Sequence, residues 1–171
     1  MTKNRSDNVN TRNLVVDILL AVTRDGEFSH IAIRDVLDKY RYLPKQDRAF
    51  ITRLSQGSIE RMIELDAIIN QFSKTKVKKM KPVIAAILRS GVYQLKYMDS
   101  VPDSAACNEA VKLTVKRGFS GLKGFVNGVM RSIARNMDQV KLPDAKKEPV
   151  KYLSVRYSVP EWMVQHFTEQ Y

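Results

Sequence analysis

The sequence predicts an all-α protein of about six to seven helices packed in two halves. Three observations lead there. Apolar residues recur at a spacing near 3.6 along most of the chain, and no run of useful length alternates with period two. Gly, Pro, Asp and Ser fall between the apolar stripes, where helices stop and start. The 171 residues, 44% hydrophobic, suffice for one sizeable core with or without an appendage.

The elements follow in order. Residues 1–10 are polar and are expected to be disordered. A first helix from about Thr11 to Thr23 places Leu14, Val15, Ile18, Leu19 and Val22 on one face, and Asp25-Gly26 ends it. A second, about Ser29 to Tyr40, turns Ile33, Val36, Leu37 and Tyr40 inward, with Ser29 as its N-cap. A long helix spans about Lys45 to Phe72, with Phe50, Leu54, Ile59, Met62, Leu65, Ile69 and Phe72 as its stripe. Gly57 falls in its middle, costs about 1 kcal/mol against Ala, and so marks a close contact or a bend.

Pro82 suits the first turn of the next helix, whose buried face reads Val83, Ile84, Ile87, Leu88, Gly91 and Leu95. Another helix begins after Val101-Pro102-Asp103-Ser104 and stops at Gly118. The last complete one runs from about Ser120 to Met137. On it Gly121, Gly124 and Gly128 leave one side nearly bare, open to close approach by another helix. Residues 141–149 change composition and read as a linker. Pro160 then opens an amphipathic turn containing Trp162, the chain's only tryptophan. The domain is thus expected over 11–138. Residues 139–171 are expected to be a linker and the start of a next domain, poorly ordered without it.

Charge is the strongest compositional signal. Lys and Arg total 29 against 18 acids, a net +11. No acid lies between Asp66 and Asp99, a stretch holding Lys74, Lys76, Lys78, Lys79, Lys81, Arg89 and Lys96. None lies between Glu109 and Asp138, a stretch holding Lys112, Lys116, Arg117, Lys123, Arg131 and Arg135. So one-sided a field attracts a polyanion. A membrane is the weaker partner, because no helix pairs a wide bulky apolar face with a lysine-rich one. The single cysteine allows no intrachain disulfide and no cysteine zinc cluster, which fits a cytoplasmic protein.

Catalytic constellations are missing from the sequence. His30 and His166 stand apart from any ligand-like spacing and read as surface or packing residues. Cys107, between alanines, reads as a small buried residue. Gly118, Gly121 and Gly124 read as a cap plus helix packing, since a cofactor loop needs a preceding strand. Glu60 and Glu64 read as a wet helix face. Asn108, Glu109 and Asn127 are polar residues inside apolar helices and are expected to bridge neighbours, with Arg89 as the candidate partner of Glu109.

Residues 11–136 resemble the NusB-like helical RNA-binding domain. The matching words are Arg12, Asp47-Arg48-Ala49-Phe50, Gly57, Leu65-Asp66, Leu88-Arg89-Ser90-Gly91-Val92-Tyr93-Gln94-Leu95, Cys107-Asn108-Glu109-Ala110-Val111, and Gly124-Phe125-Val126-Asn127-Gly128-Val129-Met130-Arg131. The domain occurs in free-standing antitermination factors, which bind RNA and a ribosomal protein. It also occurs as the N-terminal appendage of the RsmB (Sun/Fmu) class of ribosomal RNA cytosine-5 methyltransferases. Gly57-Ser58-Ile59-Glu60-Arg61 and Tyr157-Ser158-Val159-Pro160-Glu161-Trp162-Met163-Val164 are similar to the second class.

That resemblance implies docking to small-subunit ribosomal RNA, with the chain's own C-terminal methyltransferase domain as a further partner. S-adenosylmethionine and two catalytic cysteines belong to the implied full-length enzyme; no cofactor is expected in this chain, and Cys107 matches neither cysteine. Phosphates are expected to be gripped by Arg12, Arg48, Arg61, Lys76, Lys78, Lys79, Lys116, Arg117 and Lys123. Aromatics are sparse near these bases, so recognition of folded RNA by shape and phosphate is expected over single-strand readout. Weak self-association is the remaining expectation. The rival function is a protein-interaction module.

Overall fold

The computed structural model describes residues 9–170, among which there are nine α-helices and no strand. They are α1 (Thr11–Thr23), α2 (Ser29–Lys39), α3 (Lys45–Glu60), α4 (Met62–Phe72), α5 (Pro82–Tyr97), α6 (Asp103–Lys116), α7 (Lys123–Arg135), α8 (Pro149–Tyr157) and α9 (Glu161–Gln170). The count slightly exceeds expectation, partly because the sequence signal runs one helix into the next. The disorder expected at the N-terminus concerns, for residues 1–8, positions outside those described.

Local chemistry sets the boundaries. The Asn10 side chain accepts from the Asn13 N–H and starts α1. Gly26 and Gly118, at φ 75° and 86°, supply the left-handed turns after α1 and α6. Ser29 is the first residue of α2 and not its cap; Phe28 holds the cap position without a side-chain bond. Single-turn 3-10 segments flank α7 at Ser120–Leu122 and Met137–Gln139, so the helix expected over 120–137 is shorter.

The helix expected over 45–72 is two. Arg61, at φ −103° and ψ 16°, separates α3 from α4. The break is at Arg61 and not at Gly57, which serves close packing: a Cβ built there would lie 2.1 Å from the ring of Tyr93 on α5. Breaking the helix lets α3 lie against α1 and α5 while α4 turns onto α5 and α7.

α5 is the axis of the fold. α1 and α3 cover it from one half; α4, α6 and α7 cover it from the other. It is therefore buried nearly all round, at Ile84, Ala85, Ala86, Ile87, Leu88, Ser90, Gly91, Val92 and Gln94. Val83 and Leu95, expected inward, are half-buried. Gly91 admits the Met130 thioether of α7, whose Sδ lies 2.8 Å from where a Cβ would stand. Gly121, Gly124 and Gly128 behave otherwise: nothing lies within 4 Å of a built Cβ. They are exposed, and among the described residues no helix uses the bare side expected to receive one. After residue 139 come α8 and α9, with α8 seated on α4.

Space thus decides the sign of a glycine substitution. Gly57→Ala is expected to destabilise the protein by about 1–3 kcal/mol, through overpacking against Tyr93. Gly128→Ala, free of neighbours, is expected to stabilise it by up to about 1 kcal/mol through helix propensity. Urea unfolding of both variants checks the opposite signs.

Candidate nucleic-acid interface

The basic residues divide by what their side chains already hold. Four arginines hold the fold. Arg12 donates from Nε to Gln94 Oε1 at 2.8 Å, and its guanidinium lies over the Phe50 ring, so it ties α1 to α5 and α3. Burial lowers its pKa, with the Glu109 carboxylate opposing. Arg48 donates to the carbonyls of Leu37 (2.6 Å) and Tyr40 (3.1 Å) and so closes the end of α2. Arg61 lies over the Tyr97 ring and donates to the Arg156 carbonyl of α8. Arg117, whose side chain is 19% exposed, reaches the Asn13 side chain and carbonyl and Asp17 Oδ1, locking α6 to α1.

The lysines stand outside. Lys74, Lys76, Lys78, Lys79, Lys81, Lys112, Lys116 and Lys123 are exposed. Lys76 still donates to the Asn70 carbonyl. Folding joins the two acid-free stretches at one end of the bundle. Thr75, Lys79 and Lys81 from the turn before α5 share a surface hollow with Leu122 and Phe125 from the start of α7. The Lys81 ammonium lies 5.8 Å from the centre of the Phe119 ring. Phe119 is half-buried beneath it. Beyond Lys123 the basic face continues into a groove between α6 and α7, lined by Asn108, Val111, Lys112, Gly124 and Asn127.

The polar residues inside helices resolve differently from their sequence reading. Arg89 makes two bonds to Asp66, at 2.7 and 2.8 Å, across α4 and α5. Its partner is therefore not Glu109, which is half-exposed and faces Lys112 at 3.5 Å. Asn108 is exposed and accepts from Arg131 at 2.7 Å; Asn127 accepts from the same guanidinium at 3.2 Å. These amides do join α6 to α7, but at the rim of the groove. Cys107 is fully buried, and burial pushes its thiol upward, against nucleophilic use.

Glu64 is the buried charge that sequence reading missed. It was expected on a wet face with Glu60, yet it is 3% exposed while Glu60 is exposed. The break at Arg61 rotates α4 and carries Glu64 inward. Its carboxylate meets the Lys96 ammonium and accepts from the Tyr97 hydroxyl at 2.7 and 2.8 Å, with Arg61 at 3.7 Å. The available signal was Lys96 and Tyr97 standing at the end of the most buried helix.

Two predictions follow from this geometry. Arg48→Ala is expected to cost about 1–3 kcal/mol of stability, because the Leu37 and Tyr40 carbonyls at the end of α2 lose a charged donor; thermal unfolding measures it. The Tyr97 phenol is pushed up to about 12 by burial and then by Glu64. A raised folded pKa means that the stability it contributes is complete below the usual tyrosine range near 10. That stability is lost as pH climbs from there through about 12. Ultraviolet titration of wild type against Tyr97→Phe is expected to diverge only toward the top of that window.

Comparison with known proteins agrees with the architecture. The NusB family profile matches residues 9–135. A probable ribosomal RNA small subunit methyltransferase B of Bacillus subtilis (strain 168) is 34% identical over 160 residues, covering 94% of this chain and 35% of that protein. The chain thus spans about a third of the length of the methyltransferase relatives it matches. A transcription antitermination protein NusB of Agathobacter rectalis is 39% identical over 90 residues, covering 52% of this chain and 69% of that protein. Among solved structures, NusB in the crystal structure of antitermination factors NusB and NusE with double-stranded RNA superposes with a TM-score of 0.67 at 21% identity. That match covers 79% of this chain and 98% of that one. The helices around α5, the buried pattern and the profile match across most of the chain lead to one assignment: this chain belongs to the NusB family.

Proposed function

We infer that this chain is the RNA-docking N-terminal module of a ribosomal RNA cytosine-C5 methyltransferase. It holds small-subunit ribosomal RNA for a catalytic domain that lies further along the polypeptide. The observation that carries this reading is the joining of the two acid-free stretches at one end, where Lys79 and Lys81 share a hollow with Leu122 and Phe125 and Lys81 lies over Phe119. Exposed ammonium groups held by a rigid helical frame suit diffuse phosphate recognition. In this reading the lysines grip, and Arg12, Arg48, Arg61 and Arg117 shape the surface that grips. Similarity to the methyltransferase relatives over 94% of the chain supports the enzyme context.

S-adenosylmethionine would supply the methyl group in such an enzyme. The residues described here do not fit it: Gly118, Gly121 and Gly124 follow α6 and run into α7, with no strand to aim a loop at a cofactor. The transfer chemistry is therefore assigned downstream, and the role of this part is binding and orientation. A second reading, a free-standing antitermination factor, is favoured by the 39% identity to an antitermination protein, although that match covers 52% of the chain.

Binding to a small-subunit ribosomal RNA fragment is expected to weaken steeply with salt. Lys78→Glu with Lys79→Glu is expected to weaken it further and to lower the salt slope by about 1–2. Filter binding across a salt series checks this. An unchanged slope would move the interface elsewhere, and preference for an antitermination element over ribosomal RNA would favour the second reading.

A further inference from the structure

Arg131 holds two amides by their oxygens. Its Nη2 donates to Asn108 Oδ1 on α6 at 2.7 Å, and its Nε donates to Asn127 Oδ1 on α7 at 3.2 Å. One guanidinium thus fixes both carboxamides across the joint between the two helices. With the oxygens engaged, the NH2 groups are what the amides have left to offer. No group among the described residues accepts from them. Asn108 is exposed and Asn127 half-buried, so the core does not demand this arrangement.

The two amides line a groove of about 500 Å³ between α6 and α7, with Val111, Lys112, Lys123 and Gly124. The polar side chains of this lining have donors to present. Lys123 brings an exposed ammonium from α7, and Lys112 brings one from α6, tethered to Glu109 at 3.5 Å. Val111 gives the groove an apolar patch, and a Cβ built on Gly124 would meet nothing within 4 Å. No aromatic side chain lines it, so a splayed-out base finds no stacking platform there.

Neutral donors set between cations suit neutral acceptors set between anions. Phosphate alone would be served by the lysines, with no need of a guanidinium to orient two amides. An A-form RNA helix presents the matching pattern in its wide, shallow minor groove: ribose 2′-oxygens and the O2 and N3 atoms of the bases, with a phosphate strand on either side. Its major groove is too deep and narrow for side chains to read, and the minor groove of B-form DNA is narrow.

We propose that the α6–α7 groove seats the minor-groove edge of an A-form RNA stem, with Asn108 and Asn127 donating to ribose and base acceptors and Lys112 and Lys123 on the flanking phosphates. The proposal rests on the reading of this chain as an RNA-docking module, and it names the form of RNA that is docked. Arg131 is a positioning residue, and Gly124 leaves the room in which the stem approaches.

Fluorescence anisotropy of the 171-residue chain with labelled stems from small-subunit ribosomal RNA tests it. The wild type is expected to prefer a paired stem to its separated strands. It is expected to lose about tenfold in affinity on a 2′-O-methylated stem, which keeps the A form but fills the minor groove. Asn108→Ala with Asn127→Ala is expected to weaken stem binding by about tenfold at an unchanged salt slope, because no charge is removed. Gly124→Leu is expected to weaken it comparably by filling the groove, while the fold melts no earlier. Wild-type affinity in both variants overturns the proposal alone. So does undiminished binding of the methylated stem, a preference for the unpaired strand, or a reduced salt slope in the asparagine variant. Failure of the wild type to bind any of these RNAs at low salt overturns the RNA reading itself, and the proposal with it.

Discussion

The fold depends on burying one helix on nearly every side. α5 has α1, α3, α4, α6 and α7 around it, and five helices can surround a sixth only if some contacts are closer than ordinary side chains allow. Gly57 admits the Tyr93 ring, Gly91 admits the Met130 thioether, and Ala85, Ala86 and Ser90 keep the rest of α5 narrow. Leu88, Ile87 and Val92 then lie wholly out of water, each such burial contributing about 1.5–3 kcal/mol. Apart from the buried Glu64, charged groups are pushed to the circumference, where they either pair or face solvent.

That pressure explains the division of labour between the two basic residue types. A guanidinium is planar and carries several donors, so it can satisfy carbonyls and carboxylates from more than one helix. Arg12, Arg48, Arg61, Arg89, Arg117 and Arg131 each donate to a group on another element, joining parts of the chain or closing a helix end. Lys96 aside, which pairs with Glu64, most of the lysines, better hydrated and with fewer geometric demands, stay exposed at the surface. The RNA-docking role proposed for them follows from the same packing that occupied the arginines.

The break at Arg61 links the two ends of this design. It turns α4 so that Glu64 enters the interior beside Lys96 and Tyr97, and it exposes an N–H that Ser158 caps. One departure from helical geometry therefore places a buried ion pair and a docking point for α8. A mutation in this joint is felt by both the bundle and the hairpin, because neighbouring groups in one network do not act additively.

Helix type, approximate extent and the basic stretches were legible in the sequence, since they depend on local periodicity, turn residues and charge runs. The stripe of α1, the turns at Gly26 and Gly118 and the two acid-free stretches need no knowledge of neighbours. What each polar or small residue does was settled only by tertiary structure. Gly57 and Gly128 look alike on a helix, yet one lies under a tyrosine ring and the other in open water. Glu60 and Glu64 share a helical spacing, yet the break at Arg61 buries one. Arg89 could face Asp66 or Glu109 until α4 came to lie against α5. The physical reason is the same each time: periodicity assigns a face to a residue, but only the packing of several helices at once decides what stands opposite that face.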